Sequence, residues 1–204
     1  MMKSNTQDKQ KLQSILIFGA PGSGKGTQGK FLSYIGNHFH FSSGELFRKL
    51  SLNSLEGKLC RQYAEQGKLI PDEVVIKVWY SHIVKLIEMH DYLPQKQLLL
   101  LDGIPRTLEQ AQALEAYIKV KKILLLENHD REILVQRLQK RAMIEKRHDD
   151  RSQGVWDKRI QIYERETSLV IQYYSKELIV RVNADQSTLD VLKDILGSMS
   201  SVLS

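Results

Sequence analysis

Ile15-Leu16-Ile17-Phe18 is an apolar run of strand length that breaks directly into Gly19-Ala20-Pro21-Gly22-Ser23-Gly24-Lys25-Gly26-Thr27, a glycine-rich turn closed by a lysine. Such a turn needs a strand before it and a helix after it. Its glycines permit backbone conformations in which consecutive N–H groups face a single anion. The start of the following helix contributes its positive dipole end, and Lys25 contributes a full charge. A glycine-rich hairpin or a helix cap would account for the glycines but for neither the lysine nor the preceding strand. The stretch reads as a phosphate-binding loop, with Gly22, Ser23, Gly24, Lys25, Gly26 and Thr27 as candidate phosphate contacts.

The rest of the chain supplies what such a loop requires. Short apolar runs at Ser14–Phe18, Phe39–Phe41, Leu98–Leu101, Lys121–Leu126 and Leu178–Val182 alternate with helical patterns such as Pro71–Asp91, where Val74, Val75, Val78, Ile83, Leu86 and Ile87 recur. The alternation predicts an α/β fold: a parallel five-stranded sheet covered by helices, with ligands at the carboxyl ends of the strands. Nothing repeats, and no linker divides the 204 residues, which suffice for one domain with small excursions.

Composition narrows the function classes. No apolar stretch approaches the roughly 20 residues that span a bilayer, so no membrane partner is expected. Residues 1–13 are polar and lack the apolar core of a secretory signal, and they read as a flexible tail on a cytoplasmic protein. A single cysteine, Cys60, excludes an internal disulfide and a four-cysteine zinc site. The net charge of +6 comes without a block of consecutive basic residues. Surplus charge gathered in one polyphosphate-binding cleft accounts for it, and no nucleic-acid partner is expected.

A departure within the loop sharpens the reading. The general pattern places Ser or Thr directly after the lysine to ligate Mg²⁺. Here that place is Gly26, and the hydroxyl follows at Thr27, so an acidic residue elsewhere must help hold the ion. Asp102, closing the run Leu98–Leu101, is the candidate, because a carboxylate at the end of a buried strand is costly unless metal, water or donors satisfy it.

The sequence Gly-Ala-Pro-Gly-Ser-Gly-Lys-Gly-Thr-Gln from Gly19 resembles the loop of nucleoside monophosphate kinases, adenylate kinases above all. The resemblance implies a P-loop NTPase-type fold with a small AMP-binding insertion at about residues 42–71, a short lid at about 140–150 and the remainder as core. It also implies Mg²⁺ with ATP as the cofactor, no zinc, ATP, AMP and ADP as the partners, and a monomer. The activity implied is reversible phosphoryl transfer from MgATP to AMP. A kinase for CMP or UMP, or a nucleotide-binding regulatory protein with impaired turnover, is the alternative.

Further segments carry the resemblance. His40-Phe41-Ser42-Ser43-Gly44-Glu45-Leu46-Phe47-Arg48 matches the family's His-x-Ser-Thr-Gly-Asp/Glu-Leu-Leu-Arg element, which implies that Ser43 contacts AMP and Arg48 its phosphate; on pattern alone, a capped helix explains it equally. Lys68, Leu69 and Ile70 would border the adenine of AMP, although Pro71 by itself marks only a helix start. Asp102-Gly103-Ile104-Pro105-Arg106 matches Asp-Gly-Phe/Tyr-Pro-Arg, with Ile104 in place of the aromatic, and Gly103, Ile104, Pro105 and Arg106 fall on the AMP side. Gln110 corresponds to the adenine-reading glutamine, where an ordinary helix glutamine would face solvent.

On the ATP side, Arg131–Lys146 is expected to be a helix with Ile133, Leu134, Leu138 and Ile144 turned inward. Arg137 and Arg141, four apart, share one face, which is either a solvated basic face or the family's ATP-binding arginines. Arg147 and Arg159 match lid arginines that reach both phosphates, in an interval from Asp150 to Arg159 one residue longer than the family's. Lys25, Arg106, Arg141, Arg147 and Arg159 form the implied catalytic set. Around Gln186 the usual family glycine and lysine are absent, leaving backbone contact with the ATP base.

Overall fold

The computed structural model describes residues 11–145 and 153–203. Five parallel strands, β1 (Leu12–Gly19), β2 (Phe39–Ser42), β3 (Leu99–Asp102), β4 (Ile118–Glu127) and β5 (Ile179–Asn183), pair in the order β2-β3-β1-β4-β5. They coincide with the apolar runs read from the sequence, each within a few residues. β1 pairs with β3 on one side, Ile17 opposite Asp102, and with β4 on the other, Gly19 opposite Leu126. The chain therefore leaves β1 towards one edge and later fills the other. The carboxyl end of β1 is a switch point of the sheet, where open α/β folds bind their ligands.

Alternation along the strands divides the core between two faces. Leu16, Phe18, Leu99, Leu101, Ile123 and Leu125 pack with Val75, Trp79 and Ile83 of α4 (Asp72–Glu88) and with Ala111 and Leu114 of α5 (Leu108–Leu114). Ile15, Ile17, Leu100, Leu124 and Leu126 pack on the opposite face with Leu32 of α1 (Lys25–Gly36) and Val191, Ile195 and Met199 of α9 (Thr188–Leu203). Gln28 of α1, 2% exposed, donates from Nε2 to the Thr188 carbonyl at 2.9 Å and so fixes α1 against α9.

Two excursions leave this layered body on the side of the strand ends. After β2 the chain forms α2 (Ser43–Lys49) and α3 (Leu55–Glu65), each started by a serine, Ser42 and Ser54, that accepts a backbone N–H. After β4 come α6 (Arg131–Glu145) and α7 (Gln153–Ile162), which continues through a π turn at Tyr163–Thr167 into α8 (Ser168–Val170). α6 and α7 meet over a small cluster of Ala20, Leu134, Leu138, Trp156 and Ile160. The helix expected from Arg131 thus runs to Glu145 with Leu134 and Leu138 inward, but Ile144 is 69% exposed because the last turn extends beyond that cluster. Among the described residues, no helix is long and apolar enough to cross a membrane.

Candidate active site

The phosphate loop occupies the joint between β1 and α1. Gly22 and Gly24 have φ values of 90° and 97°, and a Cβ on Gly22 would lie 2.8 Å from the Leu134 carbonyl oxygen. Only glycine lets the loop pass so close to α6. Lys25 is folded back onto its own loop, where Nζ donates to the carbonyls of Gly19 at 2.7 Å and Ala20 at 3.0 Å. Burial pushes its pKa down to about 8; Asp102 opposes the shift, and Arg106, Arg141 and Arg159 add to it. Residues from four separate segments therefore act on one ammonium group.

Asp102 ends β3 beside the loop and is 8% exposed. Burial raises its carboxyl, but the His40 ring nitrogen, 3.8 Å from Oδ2, together with Lys25 and Arg106 outweighs this and holds it below the usual value. A Cβ on Gly26 would stand 3.4 Å from Asp102 Oδ2, so the position of the usual loop hydroxyl lies directly beside the carboxylate. A charged carboxylate at the strand end beside the phosphate loop is a hard oxygen donor, which fits Mg²⁺ carrying most of its own water. Among the described residues, no group of three or more His, Cys, Asp or Glu is placed to hold a metal ion.

Beyond Asp102 the chain makes a tight loop at Gly103, φ 79°, whose carbonyl accepts from Ser43 Oγ at 2.8 Å and from Arg106 Nε at 2.8 Å. The Arg106 backbone is held twice more: its N–H donates to Gln110 Oε1 at 2.8 Å, and its carbonyl accepts from Thr167 Oγ1 at 3.0 Å. Gln110 is not a solvent-facing helix residue, being 2% exposed and donating from Nε2 to Asp72 Oδ1 at 2.6 Å. On the α6 side, Arg137 donates from Nη1 to the Ala184 carbonyl at 2.8 Å and from Nη2 to the Gln186 carbonyl at 3.1 Å. Arg137 is thus anchored to the loop after β5, not simply solvated.

These elements surround one cleft of about 990 Å³. The phosphate-loop residues Gly22 to Thr27 line it, as do Asp102, Gly103, Pro105, Arg106 and Gln110. Arg48, Lys68, Leu69 and Ile70 line it from the first excursion, and Arg137, Arg141 and Arg159 from the second. Among the described residues, Ser43, Ile104 and Gln186 do not line it: Ser43 and Ile104 are 1% and 2% exposed behind its wall, and the Gln186 side chain donates to Asp194 at 2.6 Å. Arg147 lies outside the described residues, as do His148, Asp149 and Asp150 and the tail up to residue 10. Sequence reasoning gave no role to His40, Asp72 or Thr167. Only the first had a signal, its place in the motif before Ser43; an acidic residue in a helix's first turn reads as a dipole partner, and a π turn leaves no pattern.

The sequence profile of the adenylate kinase family matches residues 17–179. The chain belongs to the adenylate kinase family. It is similar to the adenylate kinase of Flavobacterium psychrophilum, 38% identical over 79% of this chain and 84% of that protein. The adenylate kinase of Azobacteroides pseudotrichonymphae is 31% identical over 93% of this chain and 98% of its own length, and that of Caldicellulosiruptor saccharolyticus is 33% identical over 91% and 98%. As a member of the adenylate kinase family the chain is a nucleotide-binding phosphotransferase, and its reaction is reversible phosphoryl transfer between ATP and AMP.

Proposed function

We propose that this transfer takes place in the cleft described above, with ATP on the side of the phosphate loop and α6, and AMP on the side of α2, α3 and the loop after Asp102. The observation that carries the reading is that Lys25 and the phosphate loop line one cleft together with Arg48, Arg106, Arg137, Arg141 and Arg159. Like charges gather at such a cost only where an anion is to neutralise them.

Gly22, Ser23, Gly24, Gly26 and Thr27 would hold the ATP phosphates with Lys25, Arg137 and Arg141, and the backbone at Gln186 would border the base. Arg48 and Arg106 would take the AMP phosphate, and Lys68, Leu69, Ile70, Gly103, Pro105 and Gln110 would enclose its nucleoside. Ser43 and Ile104 would support that wall from behind. Arg147 and Arg159 would bridge both substrates. Residues of about 42–71 would move as the AMP-binding part and about 140–150 as the lid.

The attacking oxygen of AMP is already anionic near neutrality, since a phosphate monoester has a second pKa of about 6, so no general base is required. The task is to align two anions and stabilise charge as it shifts among phosphoryl oxygens. Lys25 exchanges the Gly19 and Ala20 carbonyls for phosphate oxygens, and the guanidinium groups add bidentate donors. Closing the excursions over both substrates excludes water, which would otherwise accept the phosphoryl group. Asp102 would hold Mg²⁺ through water. The ion, when bound, neutralises charge on the β- and γ-phosphate oxygens.

A monomer working in the cytoplasm completes the proposal. The test is ADP formation from MgATP with AMP, CMP, UMP or GMP. AMP should give the highest kcat/KM, and a higher value with CMP or UMP would overturn the reading of the acceptor side.

A further inference from the structure

Gln110 is held by two neighbours of opposite character. A glutamine amide presents an oxygen and an NH₂ group of nearly equal size, and a half-turn exchanges them. The Arg106 backbone N–H, 2.8 Å from Oε1, can only donate, and the Asp72 carboxylate, 2.6 Å from Nε2, can only accept. A half-turn would set donor against donor and acceptor against acceptor at a side chain that is 2% exposed, leaving both contacts unmade. The two partners therefore permit one orientation of the amide.

After these two contacts the amide keeps one N–H and one oxygen lone pair for a ligand. Adenine offers its exocyclic N6 donor beside the N1 acceptor. Hypoxanthine and guanine reverse the pair, with an O6 acceptor beside an N1–H donor. A glutamine free to flip would serve both kinds of purine equally. One pinned in a single orientation accepts only the base whose donor and acceptor stand in matching order, because the other leaves buried polar groups opposed.

We infer that Asp72 is a positioning residue that fixes the Gln110 amide and so makes the acceptor side discriminate adenine from 6-oxopurines. The inference rests on the proposed reading of Gln110 as facing the acceptor base. Its placement supports the role: Asp72 opens α4 directly after the cleft-lining segment Lys68, Leu69 and Ile70, so the pin joins that wall of the cleft to the loop that carries Arg106.

The experiment compares full-length wild type, Asp72→Asn and Gln110→Ala, with MgATP as donor and AMP or inosine monophosphate as acceptor. The readout is the ratio of kcat/KM for the two acceptors, taken on one preparation so that any loss of folded enzyme cancels. Asp72→Asn is expected to lower the AMP-to-inosine-monophosphate ratio about tenfold, the worth of one hydrogen-bonded contact. The change should appear mainly as a lower KM for inosine monophosphate, with kcat for AMP retained. Asp72→Ser, which can likewise donate or accept, should act in the same direction and serves if the asparagine variant does not fold. A ratio unchanged in the Asp72 variants but collapsed in Gln110→Ala overturns the inference and leaves the reading of Gln110 standing. A ratio unchanged in Gln110→Ala overturns both.

Discussion

Lys25, Asp102 and Arg106 stand at or just beyond the ends of strands with both faces buried, whereas Arg137, Arg141 and Arg159 stand on helices that meet over only Ala20, Leu134, Leu138, Trp156 and Ile160. The first group is further fixed by backbone contacts: Lys25 to two loop carbonyls, Arg106 through Gly103, Gln110 and Thr167. In the second group, Arg137 is fixed to the loop after β5, but α6 carries Met143 and Ile144 into solvent at 80% and 69% exposure. One wall of the cleft is part of the main core. The other rests on a smaller cluster that it shares with Ala20 of the phosphate loop, so fewer apolar contacts hold it to the rest of the molecule.

The largest expected effect tests the fixed wall. Lys25→Ala and Arg106→Ala should each lower kcat by about 10²–10³-fold, roughly 2.7–4 kcal/mol of transition-state stabilisation, with the thermal midpoint little changed. A well-folded variant with near-wild-type kcat would refute the role given to that residue.

A pH titration sharpens the contrast, because the buried lysine belongs to the fixed wall. Burial, aided by the neighbouring arginines against the opposing Asp102, lowers Lys25 from 10.5 to about 8. Between these values the unfolded chain binds more protons than the folded one, so the nucleotide-free protein gains stability from this group as pH rises through the window. ATP binding follows the opposite sign, since the triphosphate favours the charged lysine. Affinity for ATP should fall above about pH 8 by up to about tenfold per unit, and Lys25→Arg should flatten the profile. Calorimetric titrations giving pH-independent affinity in the wild type would contradict it.

On the second wall, Ile144→Gly should loosen the end of α6 by about 1 kcal/mol and reduce kcat/KM more than it reduces thermal stability. Amide exchange over residues 142–145 should quicken while the strands are unaffected. Rapid exchange of that segment in the wild type, with and without a bisubstrate inhibitor, would show that no stable helix end exists there. The smallest effect concerns the exposed pair of Arg131 on α6 and Asp157 on α7, 2.8 Å apart. Asp157→Asn should cost about 0.2–1 kcal/mol and less at high salt, measured by urea denaturation.

Much of this molecule was legible before folding, and the reason is locality. Gly19 to Thr27 and Asp102 to Arg106 are each a strand end and a turn within ten residues, so spacing alone prescribes their form. The centre of the sheet was legible because β1 and β3, buried on both faces, are continuous apolar runs. The tertiary structure decided the orientation of the candidate side chains. Gln110 meets Asp72 across 38 residues, Arg137 meets the Ala184 and Gln186 carbonyls across 47 and 49, and Thr167 meets Arg106 across 61. A polar side chain's donors and acceptors are set by its chemistry. Which of them remain for a ligand depends on the partners that only the folded chain brings within hydrogen-bond reach.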